Sequence, residues 1–93
     1  MKNQVNEPDY TTQFKKDYND ALKQGRDISE LIEVMNELLD GVPLSPKRRD
    51  HALKGKLRKS RECHIEFDWV LVYRPYDKII LFERTGTHSK LFD

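Results

Sequence analysis

Along the first half of the chain, apolar residues return every three or four positions. Phe14, Tyr18, Ala21 and Leu22 lie at i, i+4, i+7 and i+8, the stripe of an amphipathic helix running from about Thr12 to Gln24, and Gly25 supplies its stop. Ile28, Leu31, Ile32, Met35, Leu38 and Leu39 form a second stripe, with Asp27 and Glu30 spaced as N-cap and N3 of a capping-box variant, and Gly41 and Pro43 end it. Only Gly25 and Arg26 separate the two helices, which predicts an antiparallel helical hairpin with acidic faces toward water. Such a hairpin cannot bury its stripes alone. Val5 to Tyr10 reads as a short N-terminal strand, and Pro8 confines it to a sheet edge.

After a loop from Pro43 to Ser60 the period falls to two. Cys63, Ile65 and Phe67 alternate with Glu62, His64 and Glu66; Trp69 to Tyr73 and Ile79 to Phe82 follow as short solid runs rich in β-branched and aromatic residues. Their connections, Phe67-Asp68 and Arg74 to Asp77, are short enough for hairpins, so the three strands form an antiparallel meander with a buried central strand. Each apolar face needs a partner. The fold class that follows is α+β: an N-terminal antiparallel helical hairpin packed on a small, mainly antiparallel sheet, with a short N-terminal edge strand. Cys63, Ile65 and Phe67 are expected in the core, and Glu62 and His64 on the face without helices.

A length of 93 residues allows one domain, residues 1–93, and 37% hydrophobic residues with nine aromatics (four Phe, one Trp, four Tyr) set it apart from a disordered chain despite a mean hydropathy of -0.84. No apolar run approaches the roughly 20 residues needed to cross a bilayer, and the leader from Met1 to Thr12 is polar, so a cytoplasmic protein with no membrane partner is expected. Cys63 has no second cysteine to pair with, which fits a reducing compartment.

The formal charge of +1 hides a division. Residues 1–46 hold 5 Lys/Arg and 9 Asp/Glu, whereas residues 47–93 hold 12 and 7. Within the second half, Lys47, Arg48, Arg49, Lys54, Lys56, Arg58, Lys59 and Arg61 face only Asp50. A solvated, Lys-rich loop and a nucleic-acid footprint both fit such a run. All three histidines, His51, His64 and His88, lie in the same basic half.

Histidines beside a basic groove suit RNA cleavage by the RNA's own 2'-hydroxyl. A base takes the 2'-OH proton, an acid protonates the departing 5'-oxygen, and cations stabilise charge on phosphorus. Imidazole performs either transfer near neutral pH, and no cofactor is required. A zinc site is disfavoured because no CxxC, HxxxH or HExxH spacing is present, and Cys63 and His64 are adjacent and point to opposite faces. No metal is therefore expected. Cys63 reads as packing rather than nucleophile, and Gly55 and Gly86 stand alone, which excludes a P-loop. Phe92 at the C-terminus has less reason to be buried than to touch a base.

Three strings, His51-Ala52-Leu53-Lys54-Gly55, Arg61 to Tyr73, and Arg84-Thr85-Gly86-Thr87-His88-Ser89-Lys90-Leu91-Phe92, together resemble the YafQ branch of the RelE/ParE toxin superfamily, in order and in spacing. The resemblance implies the toxin of a type II toxin-antitoxin pair, a ribosome-dependent mRNA endoribonuclease acting on mRNA in the ribosomal A site against 16S rRNA. It also implies a cognate antitoxin of ribbon-helix-helix type. Carried over by motif, His51, His64, Asp68 and His88 match the catalytic set and Phe92 a C-terminal aromatic; Glu62 stands where the best-known member has Asp, in a position to orient His64. The expected roles are His51 as base and His88 as acid, with His64 and Asp68 positioning or stabilising. Lys54, Lys56, Arg58, Lys59, Arg61 and Arg84 would hold RNA phosphates. The alternative is a noncatalytic, ParE-like protein that docks to a protein target, for which the histidines need not converge.

Overall fold

A computed structural model describes residues 5–92; the first four residues of the polar leader lie outside the described set. The chain runs β1 (Glu7–Tyr10), α1 (Thr12–Lys23), α2 (Ile28–Leu39), β2 (His51–Ala52), β3 (Arg61–Glu66), β4 (Trp69–Tyr76), β5 (Ile79–Gly86) and α3 (His88–Phe92). The strands form one sheet in the order β1-β5-β4-β3-β2. Only β1 pairs in parallel, along β5; the other pairs are antiparallel. Pro8 sits in this edge strand, where its missing N–H costs no ladder bond.

Both helices begin and end where their local chemistry dictates. The Thr11 hydroxyl caps α1 by accepting from the Phe14 amide at 2.9 Å and donates to the Glu83 carbonyl at 2.7 Å, so one side chain starts the helix and ties it to β5. Gly25, at φ 74°, takes the left-handed conformation that ends α1 and turns the chain into α2. At α2 the expected capping box does not form. Asp27 stands at the N-cap without a side-chain bond to the helix, and its carboxylate accepts from the Ser29 hydroxyl instead. Glu30 turns away to Arg48.

The core lies between the hairpin and one sheet face: Phe14, Ala21, Leu31, Val34, Met35 and Leu39 meet Cys63, Ile65, Trp69, Leu71, Tyr73, Ile80 and Phe82. Two stripe residues leave it, since Leu22 and Ile32 are exposed, and Asp17 and Val34 are buried in their stead. Phe67 also departs from its expected core place. The β3–β4 register shifts between His64 and Glu66, and β3 ends there; Phe67 and Asp68 form the two-residue turn, and the Phe67 ring is 94% exposed.

The loop from Pro43 to Ser60 has structure of its own. A 3-10 turn at Pro46–Arg48 buries the Arg48 guanidinium, which donates to the Ile65 carbonyl at 2.8 Å and to Glu30 at 2.9 Å. The loop is thereby stapled to both α2 and β3. His51 and Ala52 then add a short strand to β3, and a second 3-10 turn, Gly55–Leu57, carries the remaining basic run back to Arg61.

Candidate active site

Strand register assembles the site. His51 of β2 pairs with Glu62 of β3, His64 follows two residues along the same face, and their β4 partners, Val72 for Glu62 and Val70 for His64, are buried. Gly86 pairs with Val70 on the other side, and the turn after it delivers His88 at the start of α3. The face expected to be bare is thus partly closed by a short helix.

All three imidazoles converge on one carboxylate oxygen. Glu62 Oε1 lies 2.6 Å from His88 Nε2, 3.7 Å from His51 Nε2 and 3.7 Å from His64 Nε2. The Glu62 side chain is 2% exposed, while those of His51 and His88 are each 52% exposed. A buried acceptor therefore sits beneath rings that reach solvent. Of the three contacts only that to His88 is within hydrogen-bond range, so the carboxylate expected to orient His64 is bonded to His88.

The hydrogen bonds also distinguish the rings. His51 Nδ1 lies 2.7 Å from the Arg49 carbonyl. A carbonyl only accepts, so Nδ1 carries the hydrogen and the neutral ring keeps its lone pair on Nε2. The carboxylate of Glu62 likewise accepts, and the proton of its short bond resides on His88 Nε2. Phe92 meets the His88 ring edge-on, with centroids 5.4 Å apart, and remains partly exposed. Asp68 is not brought into the cluster: it lies exposed in the β3–β4 turn, with no hydrogen bond or ion pair to the histidines among the described residues.

Among the expected phosphate contacts, Lys54, Lys56, Arg58 and Lys59 are exposed along the loop that leads to the cluster. Arg61 is held by Asp50 at 3.3 Å, and Arg84 by Asp17 at 2.8 Å. Both keep about a third of the side chain exposed (37% and 31%), which leaves N–H groups for a ligand. Arg48 belongs to the staple and adds nothing to the basic surface.

Two supporting acids escaped the sequence reading. Asp50 accepts from the Tyr73 hydroxyl at 2.7 Å as well as from Arg61, which pins the residue next to His51 to the core sheet. Its one sequence signal was that it is a single acid within a basic run. Asp17, buried on α1, accepts from Arg84, from Gln13 at 3.1 Å and from the Thr85 amide at 3.1 Å, and lies 3.5 Å from Lys90 Nζ. It grips the chain on both sides of His88. Burial pushes the Asp17 carboxyl up, but the bonds from Arg84, Gln13 and Thr85 outweigh it and hold it below the ordinary value. The Cys63 thiol is pushed up to about 12 by burial and by nearby Asp50, which leaves it a packing group.

Metal coordination is also within the chemistry of the cluster. Glu62, His64 and His88 present donor atoms within 4.8 Å of one another, a set of imidazole and carboxylate suited to a borderline transition-metal ion.

Comparison with known proteins places this geometry in context. The family described as "Bacterial toxin of type II toxin-antitoxin system, YafQ" matches residues 6–93. The mRNA interferase toxin YafQ of Escherichia coli K12 is 40% identical over 85 residues, 90% of this chain and 92% of that protein. The structure of the E. coli DinJ-YafQ toxin-antitoxin complex contains a chain similar at a TM-score of 0.90 and 38% identity, with 96% of this chain and 99% of that one covered. A copper-bound mutant toxin from Helicobacter pylori matches at a TM-score of 0.89 and 43% identity, over 92% of this chain and 98% of that one.

Proposed function

The chain belongs to the YafQ family of bacterial type II toxins, and from that membership we propose that it is an mRNA interferase that cuts message on the ribosome by 2'-hydroxyl attack. The observation that carries this reading is the meeting of His51, His64 and His88 on a single oxygen of Glu62. A noncatalytic protein that docks to a protein target has no use for that arrangement.

In the proposed reaction His51 Nε2, whose lone pair is free, accepts the 2'-OH proton as the 2'-oxygen attacks phosphorus. The bond from phosphorus to the 5'-oxygen breaks, and His88 supplies the proton that the departing oxygen takes. Products are a 2',3'-cyclic phosphate and a 5'-hydroxyl. Glu62 offsets the positive charge that appears on the imidazoles, and His64 stabilises the negative charge on the phosphoryl oxygens. Asp68, outside the cluster, acts on RNA at the rim. Phe92 packs the His88 ring and offers a face to a base. Lys54, Lys56, Arg58, Lys59, Arg61 and Arg84 neutralise phosphates of the message and of ribosomal RNA.

The site is an open sheet face rather than a deep pocket, and a flexible single strand gains little alignment from it. Alignment for in-line attack is a large part of the barrier, and the ribosomal A site supplies it. A cognate antitoxin, as DinJ is for the E. coli relative, silences the toxin in the cytoplasm; a ribbon-helix-helix protein is the type we expect.

A copper or zinc ion held by Glu62, His64 and His88 would take the place of the proton that His88 must give and would tie up His64 and Glu62. The reaction proposed is therefore metal-independent: EDTA leaves the rate intact on controlled ribosomes, and added copper or zinc slows it. The deciding experiment incubates the protein with programmed ribosomes and analyses the cut ends. Cyclic phosphate and 5'-hydroxyl ends are expected, and 3'-hydroxyl with 5'-phosphate ends would overturn the mechanism.

A further inference from the structure

Phe67 is the most exposed large hydrophobic among the described residues. Leaving such a ring in water forgoes about 2 kcal/mol of burial. The ring borders a recess of about 380 Å³, lined also by Asp27, Lys47, Arg49, His64 and Glu66, within the range of about 300–1,000 Å³ usual for small-ligand sites. His64 lines this recess and also stands over Glu62 in the catalytic cluster. His64 is thus the one described side chain that the recess shares with the Glu62 cluster.

Its polar groups are of two kinds. Lys47 and Arg49 are exposed and form no ion pair with a described residue, in contrast to the neighbouring Arg48, which is buried against Glu30. Glu66 and Asp27 add carboxylates, which accept hydrogen bonds and do not donate them. A bare aromatic face, two uncommitted cations and acceptor-only groups correspond to the parts of a nucleotide: a base to stack, a phosphate, and amino donors on the base edge.

We propose that this recess is the subsite for one nucleotide of the message flanking the cleaved bond, its base stacked on Phe67 and its phosphate on Lys47 and Arg49. The proposal rests on the ribonuclease reading above and assigns the site a specificity-determining residue. Because the carboxylates only accept, bases with an exocyclic amino group are favoured there over uracil, whose one edge donor, N3–H, lies between two carbonyls that repel a carboxylate.

The test uses the full-length protein on ribosomes programmed with messages that vary the base on either side of the cut. Phe67→Ala raises the toxin concentration for half-maximal cleavage roughly 5- to 100-fold, as expected for loss of one base–aromatic stack. It leaves the saturating rate within about threefold and flattens the preference against uracil, while Phe67→Trp restores both affinity and preference. An unchanged half-maximal concentration and preference in Phe67→Ala would overturn the proposal. A second arm does not depend on cleavage: 5-iodocytidine is placed beside a scissile nucleotide that lacks its 2'-hydroxyl, and the ribosome complex is irradiated. A crosslink to Phe67 supports the subsite, and crosslinks that leave Phe67 unmodified overturn it. A wild-type protein that crosslinks through Phe67 but cuts no message would refute the ribonuclease reading and leave the subsite standing.

Discussion

The two faces of β3 come from alternate residues of one six-residue strand, yet they obey different physics. On one side Cys63 and Ile65 disappear into the contact between sheet and helices, where their side chains join the apolar core cluster and the gain is area removed from water. On the other, Glu62 is buried just as completely, but its neighbours are three imidazoles, two of them half in solvent. A buried carboxylate beside exposed rings contributes little to stability. The core face is complete by itself, whereas the Glu62 face leaves polar groups open to solvent that its own packing does not use.

The largest effects separate the faces cleanly. His51→Ala and His88→Ala should each lower the single-turnover cleavage rate about 10²- to 10⁴-fold, the usual worth of a general base or acid, with ribosome binding almost unchanged; the thermal midpoint should hold in His51→Ala, whereas His88→Ala also leaves the buried Glu62 carboxylate without its hydrogen-bond donor. Leu31→Ala should do the reverse, costing about 2–5 kcal/mol in denaturant unfolding with little loss of rate per folded molecule. A histidine variant that cuts at the wild-type rate would remove that residue from the chemistry.

Asp17 blurs the division, because it belongs to the core side yet holds the segment that carries His88. Asp17→Asn should cost about 2–3 kcal/mol at pH 7, since Arg84 loses its charged partner while remaining partly solvated. Its folded carboxyl lies below the ordinary value of 3.8. The contribution is thus fully present above about pH 4 and is lost as pH falls through the folded value. Unfolding curves from pH 7 to pH 2 should show the wild type losing its advantage over Asp17→Asn in that acid window. A constant gap across the range would contradict the assignment.

The smallest effect on stability, and the most telling, is expected at Glu62. Glu62→Gln keeps shape and removes the buried charge, so the protein should be as stable or up to about 1 kcal/mol more stable at pH 8 while the cleavage rate falls roughly 10- to 100-fold. Loss of stability without loss of rate would make Glu62 a packing residue and erase the contrast between the faces.

Periodicity alone made both helices, the meander and the core residues Phe14, Leu31, Cys63 and Phe82 legible, because those features depend on local spacing. It failed where a tertiary partner decides. Phe67 has the right parity for the core, but the register shift before it turns the ring out. Asp17 and Arg48 read as surface charges, and are buried only because Arg84, Glu30 and the Ile65 carbonyl meet them across 67, 18 and 17 residues of chain. Each candidate histidine was visible singly and through the family motifs. Their common oxygen was not, since it needs the β2–β3 register and the turn after β5 together.

We propose that the Glu62 face moves protons for an attacking 2'-hydroxyl. This is tested most directly by replacing that one hydroxyl with hydrogen at the scissile nucleotide of a ribosome-bound message and measuring the single-turnover rate. The bond should stay intact while the message and the protein remain bound and neighbouring unmodified sites are still cut. Continued cleavage at the modified bond, at a rate near that of the unmodified message, would contradict it.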